Sequence, residues 1–84
     1  MSYSLSILPR AVKELRRLPP DVRRRVVDRL GALVDDPRPP QCRKLTGRDG
    51  YRLRVGAYRV LYDADDASQS IVVLHVGHRS NVYR

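Results

Sequence analysis

Eighty-four residues with a formal net charge of +8, fifteen of whose seventeen cations are arginine, leave room for one domain over residues 1–84 and point to polyanionic partners. The longest apolar run, Ile71–Leu74, is four residues where a membrane helix needs about 20, and the opening MSYSLSILPR lacks a secretory apolar stretch, so neither a membrane nor export is expected. The single cysteine, Cys42, excludes an internal disulfide framework and fits a reducing, cytoplasmic setting.

The first predicted element is a short strand, in which Tyr3, Leu5 and Ile7 alternate with Ser4 and Ser6. Pro9 opens a helix, a position where its missing N–H costs nothing, and Ala11, Leu15 and Leu18 recur at helical spacing. Pro19-Pro20 ends that helix and starts another over about 21–35. There Val22, Val26, Leu30 and Leu33 form one apolar stripe, opposite Arg23, Arg24, Arg25, Asp28 and Arg29. Asp21 complements the positive end of its dipole, and the proline-rich segment 35–40 stops it.

The second half reads as a meander. Residues 51–55 and 58–62 flank Gly56-Ala57, the chemistry of a two-residue type II′ turn. That turn sets Val55 opposite Tyr58, Arg54 opposite Arg59, Leu53 opposite Val60, Arg52 opposite Leu61 and Tyr51 opposite Tyr62. Opposed residues share a face. One face collects Tyr51, Leu53, Val55, Tyr58, Val60 and Tyr62, the core side, and the other Arg52, Arg54, Arg59 and Leu61. An acidic loop, residues 63–70, leads to a third apolar run at 71–77. In it Val72, Leu74 and Val76 fit one face, and Val73 and His75 the other. The fold class is α+β in the order β-α-α-β-β-β, a helical hairpin packed on one face of a small, mainly antiparallel sheet.

Arg54 facing Arg59 costs on the order of tenths of a kcal/mol to 1 kcal/mol in an exposed sheet. A solvated strand face with carboxylate counterions is one account of it. An anion site, most simply for phosphate, is the other, because a sequence under selection for solubility alone would have put Thr or Glu at one position. His78 and Arg79 follow at the strand exit, with Tyr83 beyond them in VGHRSNVYR.

YRLRVGAYRVLY (51–62) followed by VGHRSNVYR (76–84) resembles the RelE branch of the RelE/ParE toxin superfamily, as do AVKELRRLP (11–19) and the connection from DPRP to KLTG (36–47). The resemblance spans nearly the whole chain. It implies a curved sheet backed by a helical hairpin, and the toxin of a type II toxin–antitoxin system. It also implies a ribosome-dependent endoribonuclease that cuts mRNA in the decoding site, inhibits translation and is silenced by a cognate antitoxin. The family's functional positions fall on Arg52, Arg54, Arg59, Arg79 and Tyr83.

The implied reaction is attack of an RNA 2′-hydroxyl on the adjacent phosphorus, giving a 2′,3′-cyclic phosphate and a 5′-hydroxyl, with no metal or other cofactor. Some relatives carry Lys at the strand positions. Arg cannot give up its proton in practice, so Arg52 and Arg54 are poor bases, and His78 or Tyr83 becomes the candidate acceptor. The expected partners are a cognate antitoxin, the ribosome and mRNA, with ribosomal RNA contact open to the helix arginines. Two other readings compete: a ParE-like inhibitor of DNA gyrase acting by protein contact, and a non-catalytic nucleic-acid-binding module. No metal spacing joins His75, His78 and Cys42.

Overall fold

Proline placement and apolar spacing shape the first half of the chain. The computed structural model describes residues 2–78. Strand β1 spans Ser4–Ile7, and helix α1 spans Pro9–Arg16 with Pro9 in its first turn. Helix α2 spans Pro20–Leu33, begins on Pro20 and carries Asp21 in its first turn. Its buried residues are Val22, Val26, Leu30 and Leu33, the stripe read from the sequence. The Arg23 guanidinium reaches back to donate to the Arg16 carbonyl at 3.2 Å, which satisfies one of the open acceptors at the end of α1.

The second half supplies four strands where the sequence reading has three: β2 (Cys42–Lys44), β3 (Tyr51–Val55), β4 (Tyr58–Asp65) and β5 (Ser70–His78). The added strand, β2, has three residues, too few to show an alternation, and its partner β3 defines it. The sheet order is β1-β5-β4-β3-β2, parallel between β1 and β5 and antiparallel elsewhere.

The β3–β4 pairing follows the turn chemistry. Tyr51 pairs with Tyr62, Arg52 with Leu61, Leu53 with Val60, Arg54 with Arg59 and Val55 with Tyr58. Gly56 has φ +60°, and among the described non-glycine residues only Gln69 has positive φ, so Ala57 does not. One positive φ at the first central position is the signature of a type II′ turn.

Two expectations need correction. β4 runs on to Asp65, so the connection to β5 is shorter than the loop read at 63–70 and occupies 66–69. The faces of β5 also differ. Leu61 pairs with His75 but Tyr62 with Val73, which leaves Leu74 as the extra residue of a β-bulge. The bulge shifts the alternation by one, so Ile71, Val73 and Val76 enter the core and Val72 and Leu74 do not.

Both helices pack on one face of the sheet. Their side chains meet Leu53, Val55, Val60, Tyr62, Ile71, Val73 and Val76 in one cluster. β1 ends at Ile7, so the later part of β5 lacks a strand on that side. There the Glu14 carboxylate of α1 accepts the Val76 N–H at 3.0 Å and so satisfies an edge donor.

The proline-rich linker is fastened to the sheet by side chains. The Tyr62 hydroxyl donates to the Pro37 carbonyl at 2.6 Å, and burial pushes its pKa well above the usual phenol range, so it stays a donor. Arg38 donates to the Tyr51 hydroxyl and to Asp66, both at 2.9 Å, and the Tyr3 hydroxyl donates to the same Asp66 oxygen at 2.8 Å.

Two outcomes follow from this fastening. Tyr62→Phe keeps the buried ring and removes its bond, so urea denaturation should show a loss of about 1 kcal/mol with unchanged m-value. The hydrogen bonds from Tyr3 and Arg38 hold Asp66 below its ordinary pKa of 3.8. A lowered folded pKa contributes stability above the ordinary value and loses it as pH falls through the folded one. The acid limb of stability against pH should therefore be shallower in Asp66→Asn than in wild type.

Candidate functional site

On the face of the sheet away from the helices, strand parity brings Arg52, Arg54 and Arg59 together as the sequence implies. β2 then adds a fourth arginine, because Arg43 pairs with Arg52. The face thus carries two directly opposed like-charged pairs, Arg54–Arg59 and Arg43–Arg52. Gln41, Arg43, Arg52, Arg54 and Arg59 line a cleft of about 110 Å³, with no carboxylate among the lining side chains. Arg43 is braced by donating to the Pro40 and Cys42 carbonyls, each at 3.1 Å. The planar, fixed donors of such a cluster match the oxygens of a phosphate.

Leu61, the one residue of the hairpin's outer face that is not arginine, is accounted for by packing. It is buried with Leu45 and against Leu74 in a small apolar cluster that the bulge helps to create. Leu45 reaches it through a tight loop, in which the Leu45 N–H donates to the Gly50 carbonyl at 3.0 Å. Gly50 sits at φ +111°, and a Cβ there would lie 3.2 Å from the Tyr62 carbonyl oxygen and 3.3 Å from Leu45. A second groove, about 370 Å³, opens beside this loop and shares Arg52 with the arginine cleft.

The two histidines part company. His75 pairs with Leu61 on the arginine side of the sheet, and its Nδ1 lies 3.6 Å from the Glu14 carboxylate. His78 pairs with Tyr58 on the helix side, where the two rings meet edge to face at 5.5 Å. His78 is therefore not brought to the face that carries Arg52, Arg54 and Arg59. Arg79 and Tyr83 lie outside the described residues. Gln41 and Arg43 were not among the residues singled out from the sequence. The only signal for Arg43 is that a half-buried Cys42 beside it turns toward the core, which sends Arg43 the other way.

Among the described residues no group of three His, Cys, Asp or Glu side chains could hold a metal ion, and no helix is long and apolar enough to cross a membrane. The family model described as the ParE toxin of type II toxin–antitoxin systems matches residues 5–83. Toxin RelG of Mycobacterium tuberculosis is 35% identical over 100% of this chain and 99% of its own length. The mRNA interferase toxin RelE of Escherichia coli is 36% identical over 99% of this chain and 92% of its own. The chain belongs to the RelE/ParE toxin superfamily and is of the RelE type. The RelE chain in the archaeal RelE–RelB complex from Pyrococcus horikoshii superposes with a TM-score of 0.86 at 32% identity, covering 98% of this chain and 100% of that one. The five-stranded sheet and two helices are thus the architecture of a RelE-type toxin.

In this RelE-type chain the arginine pairing opposes stability. Arg54→Thr removes one like-charged cross-strand contact, so it should raise unfolding free energy by about 0.2–1 kcal/mol at low salt. The gain should shrink as salt screens the wild-type repulsion. Denaturant titrations at two ionic strengths measure both effects.

Proposed function

We propose that the protein is a ribosome-dependent mRNA endoribonuclease, the toxin of a type II pair, held inactive by a cognate antitoxin. The observation that carries this reading is the cleft formed by four arginines in two opposed pairs with no carboxylate in its lining. Four guanidinium forks on one face offer converging donors that match an anion with several oxygens. The relative in E. coli, named an mRNA interferase, and the relative from P. horikoshii, in complex with RelB, supply the class of substrate and of partner.

In the proposed reaction the 2′-oxygen attacks phosphorus as its proton leaves, and the bond to the 5′-oxygen of the next nucleotide breaks. That oxygen gains a proton, leaving a 2′,3′-cyclic phosphate and a 5′-hydroxyl. Negative charge builds on the non-bridging oxygens, and Arg59 with Arg54 meets it through donors already oriented before reaction. Arg52 and Arg43 hold the same phosphate group from the other cross-strand pair. His78 stands against Tyr58 on the opposite face, so proton acceptance is assigned to Tyr83, with Arg79 at the leaving oxygen. Tyr83 also offers an aromatic face on which a splayed base can stack.

Single-turnover cleavage of mRNA on programmed ribosomes tests the reading. Arg59→Ala should slow cleavage by about 10²–10³-fold with ribosome binding retained. Parallel loss of both would mean electrostatic docking without catalysis, and inhibition of gyrase supercoiling in place of translation would mean the ParE activity. The proton assignment is separable. Tyr83→Phe should alter the pH–rate profile, whereas His78→Gln should leave it in place.

A further inference from the structure

A groove larger than the arginine cleft lies beside it, about 370 Å³, lined by Lys44, Leu45, Thr46, Arg48 and Arg52. Three of its five lining residues are cationic, a fourth carries a hydroxyl, and none is acidic. Arg52 lines both this groove and the arginine cleft, so the two are contiguous. Strand geometry makes the continuity directional. Arg54 and Arg59 stand at the turn end of the β3–β4 hairpin, Arg52 lies two residues back, and the loop after β2 carries Thr46 and Arg48 farther along. The walls are fixed from below. Leu45 is anchored in the apolar cluster with Leu61, and its N–H is tied to Gly50.

A cation trough with this continuity suits a chain of phosphates better than a single one. We infer that the groove of Thr46 and Arg48, continued by Arg52, is a second phosphate subsite, which holds the backbone of a single-stranded RNA one or more nucleotides from the bond cut in the arginine cleft. Arg48 supplies a guanidinium fork to a phosphate there and Thr46 a hydroxyl donor. Arg52, between the two sites, fixes the register of the strand. The inference deepens the nuclease reading by giving the enzyme a preference for a polynucleotide over a dinucleotide.

The test uses the full-length toxin and fully 2′-O-methylated single-stranded RNA, which lacks the attacking hydroxyl and cannot be cut. Dissociation constants are measured for a dinucleotide and a tetranucleotide over a range of salt. Wild type should bind the tetranucleotide more tightly, and Arg48→Ala should erase most of that advantage while leaving dinucleotide binding unchanged. The salt slope for the tetranucleotide should fall by about 0.7 for the one contact removed. Arg48→Lys should restore the slope but only part of the affinity, because charge returns without the fork. Unchanged thermal melting of both variants separates these effects from folding.

Equal weakening of both oligonucleotides, or an unchanged salt slope, overturns the subsite. So does a variant that binds RNA normally but loses affinity for its antitoxin, since the groove would then belong to the protein partner. The nuclease reading fails independently. If wild type cuts no mRNA on ribosomes while Arg48→Ala still loses the tetranucleotide advantage, the groove stands and the catalysis does not.

Discussion

The register of the β3–β4 hairpin is the constraint from which the rest of this protein follows. A two-residue turn at Gly56-Ala57 leaves one way to pair the strands, with Gly56 in the left-handed region that glycine enters without strain. That pairing sends Leu53, Val55, Val60 and Tyr62 into the core under the helices and Arg52, Arg54 and Arg59 to the other side. A slip of one residue in β3 would bury the Arg52 and Arg54 guanidinium groups, and one in β4 would bury Arg59 and expose Tyr62, the largest fully buried side chain among the described residues. Burying unpaired charge is among the most costly changes a core can undergo. The hydrophobic effect therefore enforces the position of the arginines, although none of them belongs to the core.

This division of labour explains how a small sheet tolerates two like-charged pairs. Stability is concentrated on the helix side, where α2 presents four buried aliphatic residues to β3, β4 and β5. It is supplemented at the margins by polar ties. Glu14 closes the open stretch of β5, and Tyr62, Arg38 and Asp66 hold the linker that leads into β2. The repulsion on the outer face is small by comparison.

What could be read in the sequence, and what could not, divides along the same physical lines. The helix stripe from Val22 to Leu33 and the hairpin register were legible because each repeats one rule over several residues. β2 was not, because three residues carry no period and the strand exists only through pairing with β3. The bulge at Leu74 was hidden for the opposite reason. IVVLHV is apolar on both parities, so one extra residue could be inserted without leaving a trace. His78 is a different case. It shares parity with Val76, so its place on the helix side was available from the sequence, and adjacency to Arg79 suggested otherwise. Strand parity is the stronger guide when the two conflict.

The short strand that the sequence concealed also changes what the site is. Arg52, Arg54 and Arg59 on an open sheet would form a ridge of charge, accessible from every direction and selective for nothing but sign. β2 sets Arg43 beside Arg52, and the residues on either side of it, Gln41 before and the loop from Leu45 to Gly50 after, stand above the sheet as walls. The ridge becomes two joined concavities with Arg52 between them. The loop holds its shape because Gly50 occupies a backbone conformation closed to other residues, with no room for a side chain against the Tyr62 carbonyl. The same Tyr62 fastens the linker before β2 through its hydroxyl. The linker before β2 is therefore tied to a buried tyrosine on β4 and the loop after it passes close to that residue's carbonyl, so the flanks of the cleft rest on the core beneath it.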